Sequence, residues 1–459
     1  MRDRLEDALK GKSADFIEIR LQKSQRNNIE FRGLHLDRID ASSDYGGSIR
    51  AIVNGGKGFV SFNRVEHLKE KVDQAIKLAT MIGERSEEGT NFSPVEPVED
   101  TVTVDTGEDP RAVSLTEKKA LFEAYNEIIM RYGKPVNTSR IRYFDQTSTV
   151  YYINSEGTYI EQEKLDLGGN IVAFAAGDDG LSHISMIGFG SSNDFNAARQ
   201  LEERVRQACQ KAVDSSQAEP IKGGKYPVIL DPTLAGVFVH EAFGHLSESD
   251  HLYENPQLQE LMKLGRQFGP KNLHIYDSGS IEGSRGYLKY DDEGVPTQKT
   301  DLIRQGELVG RLHTRETAAK MGEAPTGNGR AINYNYPPIC RMRTTCIAPG
   351  TASWEDMVRD IDLGVYAVDA YGGQTNGEMF TFKAGEAYMI RNGQLAEMVR
   401  DVNLTGNVFD TLNQIDAIGN DFYIRDSGGG CGKGEQSPLP TSHGSPSLRI
   451  QDVVIGGRS

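Results

Sequence analysis

Cysteine is scarce in this chain of 459 residues: there are four, at positions 209, 340, 346 and 431. Four scattered thiols cannot build a disulfide framework. A basic excess is missing as well, since 51 Lys and Arg stand against 66 Asp and Glu, a formal net charge of −15. Proteins that live on phosphate backbones need the opposite balance, so no nucleic-acid partner is expected. No run approaches the ~18 apolar residues of a membrane span. The opening Met1-Arg2-Asp3-Arg4-Leu5-Glu6 is charged and leads into no apolar segment, so no secretory signal is expected either. Nor is there a repeat of fixed period. These absences leave an acidic, water-soluble, cytoplasmic protein. In that setting a cysteine in an unusual context points to catalysis or metal binding rather than to structure.

Glycine, by contrast, is plentiful at 50 residues and has no three-residue period, which means turns and close backbone approaches. Ile17, Ile19 and Leu21 alternate with polar residues as in a half-buried strand, and Ile29 and Phe31 are expected to begin its hairpin partner. Asn54-Gly55 predicts a tight hairpin ahead of Phe59-Val60-Ser61-Phe62. Val65, Leu68, Val72, Ala75, Ile76 and Ala79 repeat at helical spacing, with Gly83 as the stop. Residues 84–113, rich in Pro, Glu and Asp, read as a solvated linker. Ser114-Leu115-Thr116-Glu117 opens a helix with a capping-box pattern. Strands around Thr149–Ile153 and Thr158–Ile160 follow, then a helix holding Leu201, Val205, Ala208, Cys209 and Val213. Beyond Gly269-Pro270 the chain is dominated by short β-like runs. The expected class is α+β: an α/β N-terminal half with antiparallel sheet, and a β-rich C-terminal half carrying one special helix. The expected domains are 1–90, 114–218 and 222–459.

That helix opens after the short strand Tyr226–Leu230, with Asp231 as N-cap and Pro232 at the first helical position. It is apolar until it presents His240-Glu241 and then His245. Buried imidazoles and carboxylates need partners, and a metal supplies them. The spacing is i and i+5, which at roughly 100° per residue puts the rings about 140° apart on a regular helix. One π-type turn brings them back to one face, and Gly244 makes that turn, or a helix stop, inexpensive. The plain alternative is one packed and one solvent-facing histidine. A third donor is offered by Cys431, set among five glycines in Ser427–Gly434. The loop fails the phosphate-binding pattern, because Ser427 and Gly434 occupy its first and last places. A simple glycine-rich turn is the other reading. Two histidines and a thiolate would leave a fourth tetrahedral position open, and zinc is the default ion for that set. Cys209, Cys340 and Cys346 read as core. Among the remaining histidines, His251 and His443 lie nearest these donors in sequence.

His240-Glu241-Ala242-Phe243-Gly244-His245 together with Cys431-Gly432-Lys433-Gly434-Glu435-Gln436-Ser437-Pro438 resembles the TldD branch of the TldD/PmbA family, also called modulators of DNA gyrase. Gly286-Tyr287 through Asp291-Asp292-Glu293-Gly294-Val295-Pro296, Thr326–Arg330 and Arg341-Met342 resemble further motifs of that family. The sequence departs from the pattern at Arg343-Thr344-Thr345, where Thr-Asn-Thr is expected. The resemblance implies a cytoplasmic zinc metallopeptidase of the HExxxH type, with His240, His245 and Cys431 as ligands. It further implies an oligomer, either with a PmbA (TldE)-like partner lacking the metal motif or with itself. Glu241 is then the candidate general base, with support of a ligand as its other role. Asp291, Asp292 and Glu293 either line the cleft and engage a peptide substrate or form a solvated turn. The β-rich surroundings suit strand addition of an extended, unfolded peptide. The rival readings are a non-catalytic regulatory subunit and a metal hydrolase of non-peptide substrates.

Overall fold

The computed structural model of the protein describes residues 1–85 and 88–456. Helix α1 (Arg2–Leu9) is followed by β1 (Phe16–Arg32), β2 (His35–Val53), β3 (Gly56–Phe62) and α2 (Leu68–Gly83). Then come β4 (Glu99–Val102), α3 (Leu115–Met130), β5 (Val136–Asn154), β6 (Tyr159–Ala176), β7 (Ser182–Ser191) and α4 (Glu202–Gln217). The strands form one sheet in the order β3-β2-β1-β5-β6, with β4 and β7 end to end along the outer edge of β6. Only β4 runs parallel to its neighbour. The long strands carry a separate core at each end. Ile17, Ile19 and Leu21 pack with Val72 and Ala75 of α2, whereas Ile141 and Leu167 pack with Phe122 of α3 and Val205 of α4.

Two expectations need correction. Ile29 and Phe31 do not begin a hairpin partner, because β1 continues unbroken to Arg32 and turns at Gly33-Leu34. The polar stretch Lys23–Asn28 stays extended since it is paired on both sides, Gln25 lying opposite Ser43 and Thr147. Residues 84–113 are not simply a solvated linker. They supply β4, and Phe92 packs edge-on to Phe16 at 4.9 Å beneath the Arg50 guanidinium. The hairpin at Asn54-Gly55 is present, with both residues left-handed at φ 49° and 77°, the geometry that matches strand twist.

The C-terminal half opens with β8 (Glu219–Pro220), β9 (Gly224–Leu230) and α5 (Pro232–Val239). Strands 363–376, β9, 448–456, 403–407 and 379–391 pair in succession, and the last returns to the first, so the sheet closes on itself. A second sheet includes Ile275–Ser278, Thr344–Ile347 and Ser442–Ser445. Helix α5 lies between the two sheets, with Phe238 edge-on to Phe380 and Phe382 at 5.5 and 6.0 Å. Being covered on both sides explains why its sequence is apolar all round. The α+β class read from the sequence is the class observed.

The turn Asp291-Asp292-Glu293 locks the two halves together. Glu293 accepts from Arg50 Nη2 at 2.8 Å, and Arg50 also pairs with Glu18 at 2.9 Å. Asp292 accepts from Lys164 Nζ at 2.7 Å, with Arg20 Nη1 at 3.4 Å. Asp291 takes backbone N–H groups of Glu293, Val295 and Gly329 at 2.9 Å. Burial, with Glu293 beside it, pushes Asp291 up to about 7. Removing one partner of such a buried pair strands a charge, which is what makes the turn a structural lock.

Candidate metal centre

Asp231 caps α5 by accepting the Leu234 N–H at 2.8 Å, with Pro232 behind it. At Val239 the regular helix ends, and His240–Gly244 form a π turn in which the His245 N–H donates to the His240 carbonyl. The turn brings the two rings to 5.2 Å between centroids, at 82° to one another. A Cβ at Gly244 would fall 2.0 Å from Met342 Sδ, so a side chain there would have to displace that buried methionine. One 3-10 turn, His245–Ser247, then carries the chain away.

Cys431 opens a two-stranded hairpin, 431–433 with 436–439, at the end of the glycine loop. Its Sγ lies 3.4 Å from His245 Nε2, and one donor atom from each of His240, His245 and Cys431 falls within 4.8 Å of the others. The buried Arg341 fixes the hairpin by donating to the carbonyls of Cys431 and Gln436 at 2.7 and 3.0 Å. Gly428 has its own reason for lacking a side chain, because a Cβ would sit 2.6 Å from the Gly169 backbone of β6. Burial pushes the Cys431 thiol up, but the two imidazoles outweigh it and bring the group down to about 5. Burial pushes His245 down, and Cys431 with Glu248 outweighs that, raising it to about 10. A thiolate beside two imidazoles is a donor set that suits a divalent ion of zinc's softness. His240 Nδ1 is buried with no hydrogen-bond partner among the described residues.

Glu241 stands between the histidines, with Oε2 3.8 Å from His245 Nε2, and burial pushes its carboxyl up. Both open into a cavity of about 750 Å³, lined also by His251, His443 and the backbone of 429–434. One wall is Gly373–Thr375. That stretch pairs with 380–382 on one side, and no described strand occupies the other. Asp291, Asp292 and Glu293 do not line this cavity, and they are buried between the halves rather than forming a solvated turn, with Asp292 lining a second, neighbouring cavity. Cys209, Cys340 and Cys346 are buried away from the three donors, as core thiols.

Sequence reasoning passed over the groups that hold the donors in place. Glu248, fully buried, accepts from His245 Nδ1 at 3.1 Å and from the Met342 N–H at 3.2 Å. Lys433 anchors it at 3.1 Å and reaches Asp250 at 2.5 Å and the Cys340 carbonyl at 2.9 Å. A carboxylate three residues beyond a candidate ligand is the available signal, since ligating histidines use their second nitrogen this way. His443 lies half-buried on the strand Ser442–Ser445, with its ring 4.6 Å from that of His240. Glu248→Gln should lower zinc affinity about 10- to 100-fold, as such outer partners do. Chelator competition checks this, with thermal melting to confirm that the fold persists. Unchanged affinity would make Glu248 a fold residue only.

Three family models match the chain in succession. They are PmbA/TldA metallopeptidase domain 1 over residues 17–79, the central domain over 108–216 and the C-terminal domain over 223–457. A metalloprotease of Synechocystis sp. is 48% identical over 445 residues, covering 97% of this chain and 95% of that one. A zinc metalloprotease TldD homolog of Saccharolobus solfataricus is 28% identical over 448 residues, covering 97% of each. Among solved structures, TldE of Thermococcus kodakarensis superposes with a TM-score of 0.77 at 20% identity, covering 100% of each chain. A Thermotoga maritima protein described as a proposed modulator of a DNA gyrase gives 0.78 at 20% identity, covering 99% of each. At that identity the structural likeness speaks to the fold alone.

Proposed function

The chain belongs to the PmbA/TldD metallopeptidase family, and on that footing we propose that it is a zinc-dependent peptidase acting on extended peptides. His240, His245 and Cys431 would hold the ion, and Glu241 is the general base. The observation that carries this reading is the π turn, which directs two imidazoles toward one thiolate with a carboxylate beside them. Zinc bound there would supply Lewis acidity, lowering the pKa of water and polarising a peptide carbonyl. Glu241 accepts the proton that the attacking water loses and returns it to the departing amine nitrogen. Burial pushes its carboxyl up, which makes the carboxylate a better proton acceptor. The unpaired side of Gly373–Thr375 offers backbone groups to an extended peptide, with little demand on its side chains.

An oligomer, with a TldE-like partner or with a second copy, would confine such a broad activity. The purified chain should carry zinc, hydrolyse unfolded peptides, lose activity to a chelator and regain it with zinc. Hydrolysis of simple esters with no peptide cleavage, or zinc without any hydrolysis, would overturn the reading in favour of a different hydrolase or a regulatory subunit. Light scattering on the same samples measures the assembly, and full activity from a monomer would contradict the confinement.

A further inference from the structure

A second cavity, of about 760 Å³, lies on the other side of the glycine loop and shares Gly429 with the metal cavity. Its floor is one face of β1, where Gln22, Ser24, Arg26 and Asn28 point the same way at alternate positions. Cationic side chains exceed carboxylates in its lining, Arg26, Arg38, Arg142, Lys164, Arg285 and Arg330 standing against Glu30, Asp44, Asp166 and Asp292, with Arg38 paired to Asp40 outside it. Arg26 donates only to neutral oxygens, Asn28 Oδ1 at 2.9 Å and Gln146 Oε1 at 3.3 Å. Its guanidinium lies 4.7 Å from the Phe144 ring, which the Arg285 guanidinium also approaches at 5.3 Å. Arg330 donates to the backbone carbonyls of Met342 and Pro440 and has no carboxylate partner among the described residues. Arg142 shares the single carboxylate of Glu30 with Arg140, at 2.9 and 3.3 Å. Lys164 likewise shares Asp292 with Arg20. Arg285 pairs with the lining carboxylate of Asp166 at 2.6 Å, whose charge also acts on Arg26, and it donates to the carbonyls of Ser427 and Gly429. Against this stands Asp44, a lining carboxylate that accepts from Tyr334 Oη at 3.0 Å.

We propose that this cavity binds the acidic flank of an extended peptide whose scissile bond lies in the metal cavity across the glycine loop. The proposal rests on the peptidase reading for the position of the scissile bond, and adds a substrate class to it. A chain of net charge −15 repels a long polyanion more strongly than a short one, so a cavity with surplus arginine suits a short carboxylate-bearing segment better than a nucleic acid. Carboxylates match the bidentate geometry of guanidinium groups, while the row of Gln, Ser and Asn on β1 can meet the peptide backbone. Alongside, Arg285 ties the loop that separates the two chambers to the cavity wall.

Fluorescence anisotropy of labelled hexaglutamate, hexaserine and hexalysine tests this on full-length, zinc-loaded Glu241→Gln protein, in which turnover does not interfere. Hexaglutamate should bind best and weaken with added salt. Arg26→Gln should weaken it about three- to tenfold and Arg26→Lys by less, because one charge-assisted pair is lost or merely loosened. Arg26 is exposed to the cavity solvent and lies outside both hydrophobic cores, so the variant should fold. Equal affinity for the three peptides, or no effect of Arg26→Gln, overturns the proposal. Tighter binding of a single-stranded oligonucleotide that displaces hexaglutamate overturns the choice of ligand. Binding as expected in a protein that cleaves no peptide would sink the peptidase reading alone. Cleavage indifferent to acidic flanks, with no such binding, would sink this proposal alone.

Discussion

Glu241→Gln is expected to keep its zinc and lose about 10²- to 10⁴-fold of peptide hydrolysis, the usual weight of a general base. The amide has nearly the shape of the carboxylate, so the π turn and both imidazoles stay in place. It cannot accept the proton from water. The carboxylate Oε2 lies 3.8 Å from His245 Nε2 and opens into the cavity. No described residue makes a shorter ion pair with it, so removal of its charge breaks no structural pair. Zinc content by elemental analysis and turnover of an unfolded peptide on the same preparation decide the matter. A zinc-loaded variant with near wild-type turnover removes Glu241 from the chemistry.

Cys431→Ser is expected to cost more zinc affinity than the roughly hundredfold typical of an outer hydrogen-bond partner, because a neutral hydroxyl replaces a soft anionic donor. Cys209→Ser, Cys340→Ser and Cys346→Ser should leave zinc content unchanged, since those thiols lie apart from the two histidines. The hairpin should survive the change. Arg341 holds it through the backbone carbonyls of residues 431 and 436, which the substitution leaves alone. Zinc should also shield Cys431 from alkylation, and a chelator should expose a reactive thiolate already held well below the usual thiol range. Stoichiometric zinc of unchanged affinity in Cys431→Ser would place the third donor elsewhere, with His443 the nearest candidate.

The π turn was legible because histidines five positions apart cannot share one face of a regular helix, and Gly244 marks where the departure occurs. Asp231-Pro232 and Asn54-Gly55 were legible because their chemistry is local. The continuity of β1 was not, since Lys23–Asn28 has no apolar alternation and owes its extension to β2 and β5 on either side. The fate of Asp291–Glu293 was hidden for the same kind of reason. Arg50 precedes Glu293 by 243 residues and Lys164 precedes Asp292 by 128, so their pairing belongs to the tertiary structure. The sequence left the glycine loop as either the setting of a third donor or a simple glycine-rich turn. At Gly428 the structure shows a tighter cause, contact with Gly169 of β6. Glu248 could have been found from its spacing to His245, had the second nitrogen of a ligating histidine been followed outward.

Zinc K-edge X-ray absorption on the reconstituted protein tests the central claim most directly. The account predicts one sulfur at about 2.3 Å and two imidazole nitrogens at about 2.0 Å, with the sulfur contribution lost in Cys431→Ser. A shell of nitrogen and oxygen alone in the wild-type protein would contradict it.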